Sequence, residues 1–221
     1  MEKFFLGDAL AYSQQTNDIL PLKNYSLTAV SNEEKTEQLF EIKITGMRPI
    51  VASGNVRIIT KSGFIPIEEL SEDDLIELIV APTKEPQKPS ISDEEFWTMG
   101  ERLASERTNP PTQILSSSKD EISTFVNGFI NKTKDKKEWQ EFITFKDALF
   151  FQMACIKARN AIAEIDEFEN KIKIPKHGKK DASMCFQFTK KEILKPTTLF
   201  QYEGDEITIF VNGYKIKIGR G

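Results

Sequence analysis

Short runs in which apolar and polar residues alternate fill the first eighty positions of the chain. They cover residues 25–30, 39–44, 55–60, 64–67 and 75–80. A period of two is typical of strands with one buried face. Short strands separated by turns, as at Lys61-Ser62-Gly63, predict a compact all-β unit for this part of the chain.

The middle of the chain has a helical period instead. Ser92 and Ser118 are each followed three residues later by a glutamate, the capping-box spacing that begins a helix. A third helix is predicted from Thr144 to about Ala163, with Cys155 as a small apolar residue on its buried face. In the first two helices the apolar positions recur at intervals of three and four residues: Phe96, Met99, Gly100 and Leu103, then Ile122, Phe125, Val126, Phe129 and Ile130.

Strand patterns return in the last fifty residues. Residues 171–175 and 184–189 alternate on either side of a turn at 177–180, which predicts one hairpin. Asn212-Gly213 lies between two further alternating runs and predicts a second hairpin. A segment with three prolines, 81–90, separates the first β region from the helices. The order predicts an α+β protein in which a mostly-β domain is interrupted by an inserted mixed α/β domain.

Charge is unevenly distributed along the chain. The formal net charge is −4, and residues 1–100 hold 9 Lys/Arg against 17 Asp/Glu. From residue 171 to residue 195 the balance reverses, with eight lysines against two acids. This asymmetry predicts one cationic surface on an acidic body, either a solvated lysine-rich hairpin or a surface that contacts phosphates. The candidate nucleic-acid-binding residues are Lys171, Lys173, Lys176, Lys179, Lys180, Lys190 and Lys191.

The composition excludes several classes of site. The chain has one histidine, His177, and two cysteines, Cys155 and Cys185. Multi-histidine metal centres, cysteine-rich zinc sites and disulfide frameworks are therefore excluded, and we predict no metal site and no cofactor. No apolar run approaches the ~20 residues that a membrane helix needs, and the first residues lack the pattern of an export signal. We expect a protein of the cytoplasm of a bacterium or phage-infected cell, neither secreted nor bound to a membrane.

The first half of the chain resembles a known family. Residues 52–64, followed by 67–70 and 73–76, resemble the second splicing block of inteins, and are closest to the inteins of replicative helicases. Residues 4–10 are similar to the first block. The resemblance implies a horseshoe-shaped β domain, the Hint domain, formed by residues 1–84 and 191–221.

The middle of the chain resembles the LAGLIDADG (DOD-type) homing endonuclease that many inteins carry as an insertion. Residues 99–106 and 125–133 lie where the two motif helices of that endonuclease would be. The resemblance implies a LAGLIDADG-like domain over residues 93–190, preceded by a linker at 85–92.

The splicing residues of the family are substituted here. Phe4 stands where the family has a Cys or Ser nucleophile, and it has no atom that could accept the acyl group. Ser53 stands where the family has Thr, and Val56 stands where it has the proton-donating His. The C-terminal His-Asn pair of the family is not matched by residues 217–221. We therefore expect that the chain does not splice.

The nuclease residues are substituted as well. In the family, each motif helix ends in an acidic residue, and the two acids hold a divalent metal ion. The corresponding residues are Ser105 and Thr133, with Glu106 and Asp135 as the nearest replacement acids. The resemblance thus implies a degenerate nuclease, and Mg²⁺ is needed only if cleavage survives through Glu106 and Asp135.

Three functions remain open at this point. The first is a catalytically degenerate intein-like protein that is reused as a binding or structural module. The second is a DNA-binding protein or weak Mg²⁺-dependent homing endonuclease that contacts double-stranded DNA through the 171–195 hairpin. The third is an interaction module with a protein partner in a larger assembly, such as that of a phage.

Overall fold

The computed structural model divides the chain into two compact units. It describes residues 4–7, 10–13, 18–21, 28–30, 38–78, 91–106, 108, 112–133, 139–159, 161–166, 168–174, 184–193 and 199–219. Unit 1 comprises residues 1–13, 19–79 and 183–221, and unit 2 comprises residues 14–18 and 80–182. The protein is α+β, since unit 1 is built from strands and unit 2 from helices and a small sheet.

The strands are numbered in chain order. They are β1 (Phe4–Gly7), β2 (Leu10–Ser13), β3 (Asp18–Pro21), β4 (Thr28–Val30), β5 (Leu39–Ile44), β6 (Ile50–Ser53), β7 (Arg57–Thr60), β8 (Gly63–Pro66), β9 (Ile76–Glu77), β10 (Trp139–Glu141), β11 (Glu164–Asp166), β12 (Lys171–Lys173), β13 (Cys185–Phe186), β14 (Phe188–Ile193), β15 (Leu199–Tyr202), β16 (Ile207–Val211) and β17 (Tyr214–Ile218).

Unit 1 contains two sheets in which the spatial order of the strands differs from their order along the chain. One has the strand order β14-β5-β6-β1-β15-β4. The other has the order β13-β9-β7-β17-β16-β2-β3, with β8 paired to β7. The β1–β15, β5–β14 and β7–β17 pairs are antiparallel, and each joins segments from distant parts of the chain. Alternate residues of β5 and β17 are buried, as a sheet with one covered face requires.

The local strand predictions for unit 1 are confirmed. The 39–44 run is β5, and the runs around the Lys61-Ser62 turn form the β7–β8 hairpin. The run at 75–80 contributes only the two residues of β9 to the described strands, and 28–30 is the described part of the 25–30 run.

The Asn212-Gly213 hairpin is confirmed. It joins β16 to β17, and both turn residues have positive φ angles, 49° at Asn212 and 89° at Gly213. Two consecutive positive φ angles match the twist of a two-residue hairpin, and Asn-Gly adopts them at low cost. The next residue, Tyr214, is fully buried, and its hydroxyl accepts the backbone N–H of Ile44 at 2.8 Å. Burial raises the pKa of this phenol well above its ordinary value.

The other predicted hairpin is wrong. Strand β12 pairs with β10 and β11 in the small sheet of unit 2, in the order β10-β12-β11. The 184–189 segment belongs to unit 1, where β13 pairs with β9 and β14 pairs with β5. The boundary predicted at residue 190 accordingly falls inside β14. Alternation identified the strands correctly, but it carries no information about which distant strand each one pairs with.

Unit 2 contains three helices in its described part: α1 (Asp93–Glu106), α2 (Lys119–Lys132) and α3 (Phe145–Arg159). Both predicted capping boxes are present, because the Ser92 and Ser118 backbone N–H groups donate to the glutamates three residues on. None of the helices among the described residues is long and apolar enough to cross a bilayer.

Helix α3 is shorter than predicted. It begins after Thr144, as expected, and Thr144 and Asp147 cap it through reciprocal side-chain hydrogen bonds. Its last residue is Arg159, not Ala163. The Ala163 carbonyl instead accepts the Gln152 side-chain amide at 2.6 Å, just before the chain enters β11.

The core of unit 2 is aromatic. The Phe151 ring lies 4.2 Å from the ring of Phe129, 5.4 Å from that of Phe142 and 6.2 Å from that of Phe125, centroid to centroid. All four side chains are buried. Cys155 is also fully buried in α3, and burial raises the pKa of its thiol to about 12, so it is an inert core residue as predicted.

Removing the cap of α2 should weaken unit 2. The Ser118 hydroxyl accepts the backbone N–H of Glu121, and loss of such a cap costs about 1 kcal/mol. We expect Ser118→Ala to lower the free energy of unfolding by that amount in urea denaturation. Ser117→Ala is the matched control, because its hydroxyl has no hydrogen bond to a described residue. Equal stability of the two variants would contradict the capping assignment.

Candidate functional site

Strands β1 and β6 bring together two of the residues that the sequence resemblance predicts at splicing positions, Phe4 and Ser53. Phe4 lies at the start of β1, opposite Tyr202 of β15, and Leu6 lies opposite Ala52 of β6. Ser53 ends β6 beside them. Phe4 and Ser53 are both buried, with 4% and 2% of their surfaces exposed. The structure therefore brings these two sequence-predicted positions to the same region of one sheet.

The Ser53 hydroxyl has a partner on each side. Its Oγ accepts the backbone N–H of Phe5 at 3.0 Å and donates to Oδ1 of Asn55 at 2.7 Å. The hydroxyl thus links β1 to the turn that follows β6. A buried hydroxyl needs such partners, because leaving it unpaired would cost about 1–3 kcal/mol.

Val56 is buried, and its backbone N–H and carbonyl groups both form hydrogen bonds. Its N–H donates to the Ser53 carbonyl at 3.1 Å, and its carbonyl accepts the N–H of Ile67 at 2.9 Å. Its side chain is fully buried. A Cβ on the adjacent Gly54 would lie 2.6 Å from Oε2 of Glu68, so this turn packs tightly against the 3-10 helix Ile67–Glu69.

The side chains at the predicted splicing positions and their hydrogen-bond partners offer no acid or base, and the acid beside this turn is Glu68, next to Gly54. Phe4, Phe5, Ser53, Asn55 and Val56 carry no group that ionises near neutral pH. General acid–base catalysis needs such a group within hydrogen-bond reach of the reacting atoms. The hydrogen bonds of the Ser53 hydroxyl to Phe5 and Asn55 hold β1 against the turn after β6.

In unit 2, helices α1 and α2 cross at two glycines. A Cβ on Gly100 would lie 2.1 Å from the carbonyl oxygen of Phe125, and a Cβ on Gly128 would lie 2.3 Å from that of Trp97. Each glycine therefore faces the residue three positions before the other glycine. Each α1 residue in these contacts has a counterpart 28 positions later in α2, so that Trp97 corresponds to Phe125 and Gly100 to Gly128. The contact of Gly100 with Phe125 is therefore equivalent to that of Gly128 with Trp97, as in a local pseudo-twofold relation.

Ser105 and Thr133 are counterparts in this relation. Each lies five residues after the glycine of its helix. The Ser105 hydroxyl donates to the Glu101 carbonyl at 2.9 Å, and the Thr133 hydroxyl donates to the Ile130 carbonyl at 2.8 Å. Both hydroxyls therefore bond to their own helices, as such side chains commonly do.

The replacement acids do not form a metal site in the described part of the chain. Glu106 is exposed at the end of α1, and Asp135 lies outside the described residues. Within the described ranges, no three His, Cys, Asp or Glu side chains are grouped as a metal ion would need.

The described lysines of the predicted cationic surface belong to different sheets. Lys171 and Lys173 lie on β12 of unit 2, whereas Lys190 and Lys191 lie on β14 of unit 1. The prediction that they share one hairpin is therefore wrong. Lys176, Lys179, Lys180 and His177 lie outside the described residues.

Three of these four lysines have partners within the protein. Lys171 forms ion pairs with Glu169 at 2.7 Å and Glu141 at 3.6 Å, and Glu169 raises its pKa. Lys173 lies 3.8 Å from Glu164. Lys190 donates to the Glu68 carbonyl at 3.1 Å and to the Ile67 carbonyl at 3.4 Å, which ties β14 to the 3-10 helix.

Comparison with known proteins gives structural similarity only. No family model and no curated protein matches the sequence. A crystal structure of a variant of the Ssp DnaB mini-intein is similar, with 21% sequence identity, a TM-score of 0.28, and coverage of 40% of this chain and 68% of that chain. A crystal structure of a mutant of that variant gives 20% identity, a TM-score of 0.28, and coverage of 42% and 72%. At these values the matches carry no argument about chemistry.

A second charged cluster lies on the sheet of β7 and β17 and is not apparent from the sequence. The Glu206 carboxylate accepts one hydrogen bond from the Arg57 guanidinium and another, at 2.8 Å, from the Lys217 ammonium group. The Nζ atoms of Lys217 and Lys215 lie 4.6 Å and 5.8 Å from the centroid of the Phe64 ring. These residues are far apart in sequence, and only the β7–β17 register, which places Arg57 opposite Lys217, brings them together.

This cluster should make stability depend on pH. Hydrogen bonds from Lys217 and Arg57 lower the pKa of Glu206 below its ordinary value of about 4.3. A lowered pKa means that the ion pairs stabilise the fold above that value and are lost as the pH falls through the pKa of the folded state. We expect the stability difference between wild type and Glu206→Gln to shrink over this acidic range in denaturation at several pH values. Glu192→Gln, at an exposed position of β14, is the control for removing one carboxylate from unit 1. A stability difference for Glu206→Gln that stays constant over the acidic range would contradict the role of these ion pairs.

Proposed function

We propose that the chain is a catalytically inert protein, built from an intein-like β unit and a LAGLIDADG-like helical unit, that is reused as a binding or structural module. The observation that carries this proposal is the buried arrangement around Ser53. Phe4 and Val56 bring no reactive group to it, and the Ser53 hydroxyl is engaged by Phe5 and Asn55. The pairing of β1 with β6 beside these residues supports a fold that persists without splicing chemistry.

The crossing of α1 and α2 supports the second half of the proposal. Two helices that meet at small residues about a local twofold are the expected centre of a LAGLIDADG-like unit. Gly100 and Gly128 provide that close approach. Ser105 and Thr133, at equivalent positions beyond it, are hydroxyls bonded to their own helices, which favours loss of metal-dependent cleavage.

Splicing is tested by placing the chain between two reporter segments and analysing the product by mass spectrometry. We expect the unprocessed fusion alone, because the Phe4 side chain has no atom that could accept the upstream acyl group. An active intein in the same reporter is the positive control. Ligated reporter or a released segment in the fusion with this chain would overturn the proposal.

Duplex DNA receives less support as a partner. Lys171 and Lys173 pair with glutamates, which partly neutralises their charges. Lys190 keeps its charge, but its ammonium group already donates to backbone carbonyls. A mobility-shift assay at low salt separates the two functions. A shift whose affinity falls steeply with salt would favour the DNA-binding alternative, because each neutralised phosphate releases counterions.

A further inference from the structure

Unit 2 holds a phenylalanine in solvent at the end of its small sheet. Phe168 lies in the turn between β11 and β12 and is 93% exposed. Ile143, 57% exposed, lies beside this turn, because the Asn170 side chain donates to its carbonyl at 3.5 Å. We call Ile143, Asp166, Phe168 and Glu169 the acidic tip.

The turn that carries Phe168 is fixed by hydrogen bonds. Oδ1 of Asp166 accepts the backbone N–H groups of Phe168 at 3.0 Å and Glu169 at 3.2 Å. Asn170 closes the turn with a φ of 50°, and its carbonyl accepts the N–H of Phe142 at 2.9 Å. An exposed aromatic side chain on a pre-organised turn is typical of an interface anchor, because the backbone of the turn loses little conformational entropy on binding.

The charges around Phe168 indicate which kind of surface would bind it. Two residues beside the acidic tip, Glu141 and Lys171, also contribute to its charge. Lys171 forms ion pairs with Glu169 and Glu141 and lies opposite Asp166 in the β11–β12 pair. The tip and these two neighbours together have a formal charge balance of 1 − 3 = −2. The complementary surface is therefore apolar at its centre and basic at its edge.

Unit 1 presents a surface of that kind on β7, β8 and β17. Phe64 lies opposite Ile59 in the β7–β8 pair, and both are partly exposed. The ammonium groups of Lys215 and Lys217 lie over the Phe64 ring, and Glu206 binds Arg57 and Lys217. The three cations and this acid give a formal charge balance of 3 − 1 = +2. We call Arg57, Phe64, Lys215 and Lys217 the basic face.

We propose that the acidic tip of one copy of this chain docks on the basic face of a second copy. The proposal deepens the proposed function, since it names the partner of the binding or structural module. Phe168 would pack on Phe64, and Asp166 and Glu169 would approach Lys215. Because the two surfaces differ, the contact is heterologous.

Sedimentation velocity of the full chain tests the proposal. We expect a sedimentation coefficient that rises with concentration from the micromolar to the sub-millimolar range at low ionic strength. The rise should be weakened at ~1 M salt, where charges more than about 3 Å apart are screened. A single monomeric species throughout the low-salt series would overturn the proposal.

Two variants and their mixture give the decisive measurement. Phe168→Ser removes the anchor, Lys215→Glu reduces the charge of the basic face, and each should weaken association by about tenfold or more. Each variant keeps the surface that the other lacks, so mixing them should restore a one-to-one complex and no larger species. Trp139→Ser, an exposed aromatic at the other end of the same sheet, is the control and should associate like wild type.

The outcomes are independent of the splicing assay. Association that is unchanged in Phe168→Ser, or a mixture that stays monomeric, would overturn docking through these surfaces while leaving the inert β unit unaffected. Ligated reporter would overturn the inert function whether or not the chain associates. Circular dichroism of each variant confirms that a loss of association does not come from unfolding.

Discussion

Replacing Gly128 by alanine is expected to destabilise unit 2 by about 2–3 kcal/mol, although the same change in an ordinary helix interior stabilises by about 1 kcal/mol. The reversal of sign comes from the helix crossing. The new Cβ would lie 2.3 Å from the Trp97 carbonyl oxygen and 3.0 Å from its carbonyl carbon. Backbone atoms cannot rotate out of the way, so α1 and α2 must separate.

Chemical denaturation of Gly128→Ala, Gly100→Ala and the double variant measures this effect. The second substitution should cost less than the first, because the helices have already moved apart and the two sites are coupled. Lys132→Ala, at an exposed position of α2, is the control and should change stability by less than about 0.5 kcal/mol. A Gly128→Ala protein as stable as wild type would rule out the close crossing.

Replacing Asn212 by alanine is expected to destabilise unit 1 by about 3 kcal/mol. Asn212 is 1% exposed, and its side chain donates to the Pro49 carbonyl at 2.9 Å and accepts the Leu10 N–H at 3.4 Å. Each buried group left without a partner costs about 1–3 kcal/mol. Alanine is in addition strained at the φ of 49° that the turn requires.

Asn212→Gly separates the two contributions, since glycine adopts positive φ without strain but lacks the amide. We expect it to lose most of the same stability in denaturation experiments and to recover only the part due to the backbone, about 1 kcal/mol. If Asn212→Gly were as stable as wild type, the hydrogen bonds to Pro49 and Leu10 would contribute nothing, and the explanation would fail.

Features set by neighbouring residues could be predicted from the sequence. The Asn212-Gly213 turn and the capping boxes at Ser92 and Ser118 each depend on four or fewer consecutive positions, and all three are present. The end of α3 was misplaced because the residues after Arg159 continue the apolar pattern. Strand β11 begins only at Glu164, and it depends on pairing with β12, which the local sequence does not encode.

Features set by distant residues could not be predicted. The partner of β14 is β5, about 150 positions earlier, and many alternating strands would fit the same pattern. In the candidate site, the lack of ionisable side chains at Phe4, Ser53 and Val56 was visible in the sequence. The bond between Ser53 and the Phe5 amide was not, because it depends on how β1 lies beside β6. The cluster of Arg57, Glu206 and Lys217 depends in the same way on the register of β17.

The strand order of unit 1 has a consequence for synthesis on the ribosome. Strand β17 lies between β7 and β16, and β15 lies between β1 and β4, so both sheets are held open until residues 199–218 emerge. The described helices and small sheet of unit 2 come from residues 91–174 and are complete earlier. We therefore expect the helical unit to fold first, while the strands of unit 1 that emerge early still have unpaired edges. Nascent chains halted before residue 199 should be the species that chaperones bind most strongly.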